Sequence, residues 1–273
     1  MLIRKKKLSL SIGLISIALS FLWISIVVVG LSRESEKIRL KEISGQKVIY
    51  LLENAGQPKV AAKSDHRISI ILDDSDGEMR VENLIDSFPK EVTFGVSPYN
   101  KYMHKNIALL TENKRSFLVN IPLSNKKEKK LDLYPDLKSE EISQKIEDIH
   151  SMTVGSLGFY SLGNDEFLSK ESAVEAAIRK IYDLESVFFY GIKDKTATLE
   201  PEEGGSLKVR SFDVEIGPNK VESGLESLES MALKYGEAVG IVKVNSSNLE
   251  VVKSWLSKLS SKNISIVPAG SLF

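Results

Sequence analysis

The run Asp73-Asp74-Ser75-Asp76-Gly77 puts three carboxyl groups within four residues. Carboxyls this close repel one another. They are tolerated if a cation binds, if one stays protonated, or if they serve as turn and N-cap residues ahead of a helix near Met79. A calcium loop does not fit, because Leu72 falls on the first ligand position and Asn83 on the twelfth. Imidazole chemistry has three candidates, His66, His104 and His150, and there is no cysteine. Disulfides, thiolate catalysis and zinc-thiolate sites are therefore excluded. The chain also lacks G-x-S-x-G, P-loop and G-x-G-x-x-G patterns.

The elements that would position these groups follow from patterning. Ile68–Leu72, Val92–Val96, Phe117–Ile121, Val154–Phe159, Val187–Tyr190, Leu207–Phe212, Val239–Val244 and Ile264–Val267 are short apolar runs, as expected of strands buried on both faces of a parallel sheet. Helical patterns separate most of them. Ala173, Ala177 and Ile181 recur four apart; Pro218 and Gly236 bracket Asn219–Tyr235; and Ser247 with Glu250 forms a capping box before Leu249, Val252, Leu256 and Leu259. Seven or eight strands interleaved with helices predict an α/β fold, a deformed (β/α) barrel. In such barrels the site collects where strands end. Those ends offer Asp73 and Asp74, then Tyr99, Asn120, Phe159 with Tyr160, Asp194, Asp213 with Glu215, and Lys243. The histidines fall elsewhere: His66 precedes the first strand, His104 sits in a helical stretch and His150 ends a helix. Each reads as structural or solvent-exposed.

Leu8–Leu31 holds 24 residues without a charge, behind the basic cluster Arg4–Lys7. At about 1.5 Å per residue it covers roughly 36 Å, enough to cross a hydrocarbon core of about 30 Å. No small-x-small cleavage pattern follows, so residues 1–31 read as an uncleaved signal anchor, residues 32–67 as a polar stalk and residues 68–273 as the barrel domain. The expectation is a single-pass protein of a bacterial cytoplasmic membrane whose C-terminal domain is extracytoplasmic, that is, periplasmic. Net charge is zero over the chain, and the 31 leading residues carry four of the 37 basic groups and no acid. The remainder is thus slightly acidic and lacks the basic excess that nucleic-acid binding requires. Lys126–Lys130 reads as a solvated surface turn.

Taken in order, the motifs resemble the divergent polysaccharide deacetylases, a branch of the carbohydrate esterase barrels. Ile68–Asp74 resembles the family's strand into an Asp pair, and Val92–Tyr99 its Thr-Phe strand ending in Pro-Tyr. Phe117–Pro122 is similar to the third strand with its terminal proline, and Ile264–Leu272 to the closing strand. The resemblance implies hydrolysis of a C–N bond other than a peptide, with removal of acetyl from an amino sugar. Asp73 would be the general base, and Asp74 would join histidines around a divalent metal.

The metal-binding motifs are degenerate. Phe159 stands where the family has the His of Asn-His-Met-Gly-Ser, Lys243 replaces a second His, and Leu123 and Ser124 replace polar groups. Catalytic zinc is commonly held by three protein ligands that include His. With carboxyls and Asn120 on offer, no cofactor is expected. An active form would need a divalent metal, Zn²⁺ or Mg²⁺. Lys243 would repel a metal or, by pairing with Asp73 or Asp74, replace it. The expected function is that of a membrane-anchored deacetylase-like protein with lost or reduced activity, binding a glycan or an envelope protein. Phe159 and Tyr160 would stack on a sugar at the pocket rim. The alternative is an active metal-dependent hydrolase of N-acetyl groups on an amino-sugar polymer.

Overall fold

Apolar runs with no polar face cannot sit at a solvent boundary, and the strands they form are covered on both sides. The computed structural model describes residues 66–191, 208–243, 245 and 248–273. The expected signal anchor, the expected stalk as far as residue 65, Asp194 and Ser247 lie outside the described residues, whereas His66 and Arg67, read as preceding the first strand, already belong to it. Among the described residues no helix is long and apolar enough to cross a membrane.

The strands are β1 (His66–Asp73), β2 (Thr93–Val96), β3 (Phe117–Asn120), β4 (Gly158–Ser161), β5 (Val187–Tyr190), β6 (Val209–Ser211), β7 (Val214–Ile216), β8 (Glu237–Lys243) and β9 (Ile264–Ile266). The helices are α1 (Met103–Glu112), α2 (Ser139–Met152), α3 (Asp165–Leu168), α4 (Glu171–Asp183), α5 (Val221–Tyr235) and α6 (Leu249–Lys258). All strand pairs are parallel, in the order β6-β5-β4-β3-β2-β1-β8-β7. One edge of β1 pairs with β8 from Arg67 to Asp73. The other edge is shared, with β9 against His66–Ile68 and β2 against Ile71 and Leu72.

β6 and β7 end this path on opposite sides, yet only Phe212 and Asp213 separate them in sequence. Phe212 N–H donates to Tyr190 O on β5 at 2.9 Å, and Asp213 N–H donates to Val239 O on β8 at 2.8 Å. Consecutive residues therefore bond to the two ends of the sheet, so the sheet must curl back on itself. The result is a curled parallel sheet, consistent with the expected deformed barrel. Side chains of Arg210 and Glu237 cross the same gap, 2.6 Å apart. Inside pack Ile71, Leu118, Tyr160, Val187, Phe189, Val239 and Ile241. The alternate residues face the helix layer, as shown by Phe159 lying 6.2 Å from the His150 ring of α2.

Helices form where the apolar period predicted them: α4 buries Ala173, Ala177 and Ile181, and α5 ends at Gly236 with φ +89°. Two expectations are corrected. The run Val154–Phe159 is not a strand. Val154 is 76% exposed and β4 begins only at Gly158, because Gly155 at φ +92° turns the chain out of α2 first. β7 was not anticipated, since three residues flanked by Asp213 and Gly217 carry too short an apolar signal.

Gly158 has φ +148°, and a Cβ there would lie 2.2 Å from the Val187 carbonyl oxygen. That neighbour is backbone held in the β4–β5 ladder and cannot yield. Gly158→Ala is expected to cost about 3 kcal/mol or more in urea unfolding; a loss under about 1 kcal/mol would show that the β4–β5 spacing is not fixed as described.

Candidate functional site

β1 delivers Asp73 and Asp74 to the C-terminal end of the sheet, where they are only 6% and 3% exposed. Adjacent buried carboxyls are costly unless every oxygen is paired. Here each one is. Asp73 Oδ1 accepts from Ser75 N–H at 2.8 Å and from the Tyr160 hydroxyl at 2.9 Å, and Oδ2 accepts from Ser75 Oγ at 2.7 Å. Asp74 Oδ1 accepts from Met79 N–H at 2.7 Å, while Oδ2 accepts from Ser97 N–H at 3.2 Å and Asn100 Nδ2 at 2.7 Å. The Tyr160 hydroxyl in turn accepts from Asp74 N–H at 3.3 Å.

Tyr160 reaches this position because Gly95 stands opposite it. A Cβ on Gly95 would lie 2.7 Å from Tyr160 Oη and 2.8 Å from Cζ. The turn after β1 is tied down by amides: Asn100 and Asn106 both donate to Met79 O, at 2.8 and 2.9 Å. Burial pushes Asp74 up to about 6. Asn100, Met79 and Ser97 oppose that rise, and the neighbouring Asp73 adds to it. Burial above all, then the adjacent Asp73, raises the Tyr160 hydroxyl well above its ordinary value, so it acts as a neutral donor.

The other expected site residues scatter. Tyr160 and Phe159 are fully buried, one inside the sheet and the other under α2, so neither forms a pocket rim for sugar stacking. Strand alternation is the reason: both follow Gly158 on a strand covered on both faces. Asn120 is buried on β3 beside Tyr160 in register. Lys243 pairs with Asp76 and not with Asp73 or Asp74. Tyr99 turns away from the pair. Its hydroxyl donates to Asp132 at 2.7 Å and accepts from Leu131 N–H at 2.8 Å. Sequence reading passed over Ser75, Ser97 and Asn100. Asn100, next to Tyr99 at a strand end, was within reach of the same argument; Asp132, remote in sequence, carried no signal.

A metal does not fit the residues present. Every oxygen of Asp73 and Asp74 is already taken by a protein donor, and the tyrosine hydroxyl offers a proton where a ligand lone pair would be needed. The histidines are elsewhere. His66 donates to Ala232 O at 3.1 Å, His104 lies on α1, and His150 lies on α2. Among the described residues no three His, Cys, Asp or Glu are grouped to hold an ion.

Two outcomes follow from this geometry. Tyr160→Phe strips a donor from buried Asp73 and should lower the unfolding free energy by about 2 kcal/mol in urea titration. Asp74 holds its proton in the native state between pH ~4 and about 6, where the unfolded chain has lost it. Its contribution is therefore full below pH ~4 and disappears as pH rises through 6, up to about 3 kcal/mol. Carboxyl ¹³C NMR should show a midpoint near 6 that falls in Asp73→Asn; a midpoint near 4 would contradict the burial argument.

No curated protein matches the chain in sequence. Among solved structures, an uncharacterised protein from Agrobacterium tumefaciens C58 superposes with a TM-score of 0.64 at 18% identity, covering 84% of this chain and 97% of that one, which supports the fold alone. The catalytic domain of a peptidoglycan N-acetylglucosamine deacetylase from Eubacterium rectale matches with a TM-score of 0.46 at 10% identity over 80% of this chain and 95% of that one. A CE4 family pseudoenzyme from Bacillus anthracis matches with a TM-score of 0.46 at 12% identity over 77% and 66%. Residues 70–273 match the divergent polysaccharide deacetylase profile, from the strand that carries the Asp pair through to Phe273, and the chain belongs to that family.

Proposed function

We propose that this chain is a non-hydrolytic deacetylase-fold protein that binds an envelope polysaccharide at the C-terminal end of its sheet. The observation that carries the reading is that every carboxyl oxygen of Asp73 and Asp74 already accepts from a protein donor. Six hydrogen bonds from Ser75, Met79, Ser97, Asn100 and Tyr160 occupy the oxygens that a hydrolytic metal and a general base would need. A general base must present a free lone pair to its substrate, and Asp73, buried, already uses three of its carboxyl group's roughly four lone-pair sites on Ser75 and Tyr160. Family membership supports a polysaccharide as the ligand class. The uncharged run Leu8–Leu31 behind Arg4–Lys7 supports a membrane anchor that holds the domain outside the cytoplasm.

The test is to purify the full chain without a His-tag, measure its divalent metal content and follow acetate release from N-acetylchito-oligosaccharides. The expected result is metal well below one ion per chain and no acetate above background, with saturable binding to at least one envelope polysaccharide. Stoichiometric zinc together with acetate release that Asp74→Ala abolishes would establish the hydrolase instead.

A further inference from the structure

The segment Ser97–Tyr102 crosses directly over the buried pair, since Ser97 N–H and the Asn100 amide both bond to Asp74. Two half-buried tyrosines stand on it, Tyr102 with two cations against its ring and Tyr99 with one. Arg80 Cζ lies 4.5 Å and Lys101 Nζ 5.1 Å from the centre of the Tyr102 ring, and Lys129 Nζ lies 4.7 Å from that of Tyr99. All three cationic side chains are exposed.

Exposed lysines and arginines ordinarily sweep a wide volume and contribute little to binding, because fixing them costs rotamer entropy. Here much of that ordering is already in place. The Tyr99 hydroxyl is fixed by Asp132, whose other oxygen accepts Lys129 N–H at 2.8 Å, so one buried carboxyl aligns both the ring and the backbone of the lysine above it. Tyr102 N–H donates to Asn100 Oδ1 at 2.7 Å, which links the second ring to Asp74. Of the acids near these cations, Glu82 pairs with Lys105 and Asp76 with Lys243, while Glu78 and Glu128 are exposed. Arg80 adds to the field that lowers the Glu82 pKa, but among the described residues Arg80, Lys101 and Lys129 form no ion pair of their own.

Resting on the polysaccharide-binding reading above, we propose that the ligand is an acidic polysaccharide whose carboxyl groups seat on Arg80, Lys101 and Lys129. Pre-placed cations on a rigid support recognise a chain with repeated negative charge, whereas a neutral glycan would leave them unused.

The experiment measures binding of hexagalacturonate, N-acetylchitohexaose and phosphatidylglycerol-doped micelles to the full chain by calorimetry at two salt concentrations. Hexagalacturonate should bind more tightly than the neutral hexaose and weaken with salt. The triple variant Arg80→Gln, Lys101→Gln, Lys129→Gln should lose about tenfold in affinity for it. Lys234→Gln, which removes an equally exposed lysine from over the Tyr235 ring on α5, should leave binding unchanged. If the triple variant melts early, Lys129→Gln alone should still cost about threefold. Unchanged affinity in these variants, or binding to the lipid-doped micelles alone, would overturn the proposal. Binding of the neutral hexaose without hexagalacturonate would overturn it while leaving polysaccharide binding intact, and failure of both sugars would remove that reading as well.

Discussion

Two adjacent carboxyl groups buried at the end of one strand are the constraint around which this end of the molecule is built. Burying one unpaired carboxyl is costly; burying two side by side adds their repulsion. The fold meets that cost with hydrogen-bond donors and no countercharge. A serine one residue on, two backbone amides, an asparagine and a tyrosine hydroxyl from across the sheet converge on four oxygens. Each donor then imposes its own demand. Tyr160 needs Gly95 to be a glycine, and Asn100 needs the turn after β2 to fold back over β1. Asn106 needs α1 to lie against the turn after β1. The local geometry of three strand ends thus follows from one electrostatic problem.

The strand starts solve the same kind of problem by the opposite means. Glu237 opens β8 and takes Arg67 at 2.5 Å and Arg210 at 2.6 Å, while Arg210 also approaches Asp213 at 3.5 Å. Burial raises the Asp213 pKa despite the opposing Val239 N–H and Arg210. These groups come from β1, β6 and β8 and the link between β6 and β7, so they fasten the point where the two ends of the sheet meet. Guanidinium groups suit this duty because one planar fork can serve two acids at once. Cations thus join the ends of the sheet, whereas uncharged donors hold the Asp pair.

The sheet was legible in the sequence because buried parallel strands leave continuous apolar runs, and Ile68–Leu72 or Val187–Tyr190 can be little else. The run at Val154 misled because Gly155, at φ +92°, turns the chain before the strand that its apolar residues suggest can begin. Asp73 and Asp74 were visible as a charge cluster at a strand end, but their partners were not. Tyr160 lies 87 residues from Asp73 and was placed at a rim, since nothing in sequence tells which face of a doubly covered strand turns inward. Lys243 is opposite Asp73 in register, yet its long side chain reaches past that strand end to Asp76. Register fixes Cα positions; where a flexible cation settles depends on which acid remains open to solvent.

The donors gathered around the Asp pair also make both acids hard to exchange, whatever chemistry they carry. Once Ser75, Met79, Ser97, Asn100 and Tyr160 have been arranged around two acids, either acid is difficult to exchange for an apolar residue, because each exchange strands several buried donors at once. Asp73 and Asp74 have a structural reason to be present whether or not a reaction occurs beside them. An Asp-Asp pair ending the first strand is for that reason weak evidence of hydrolysis. The informative quantity is whether the carboxyl oxygens face a ligand or face the fold, and in this protein all four face the fold.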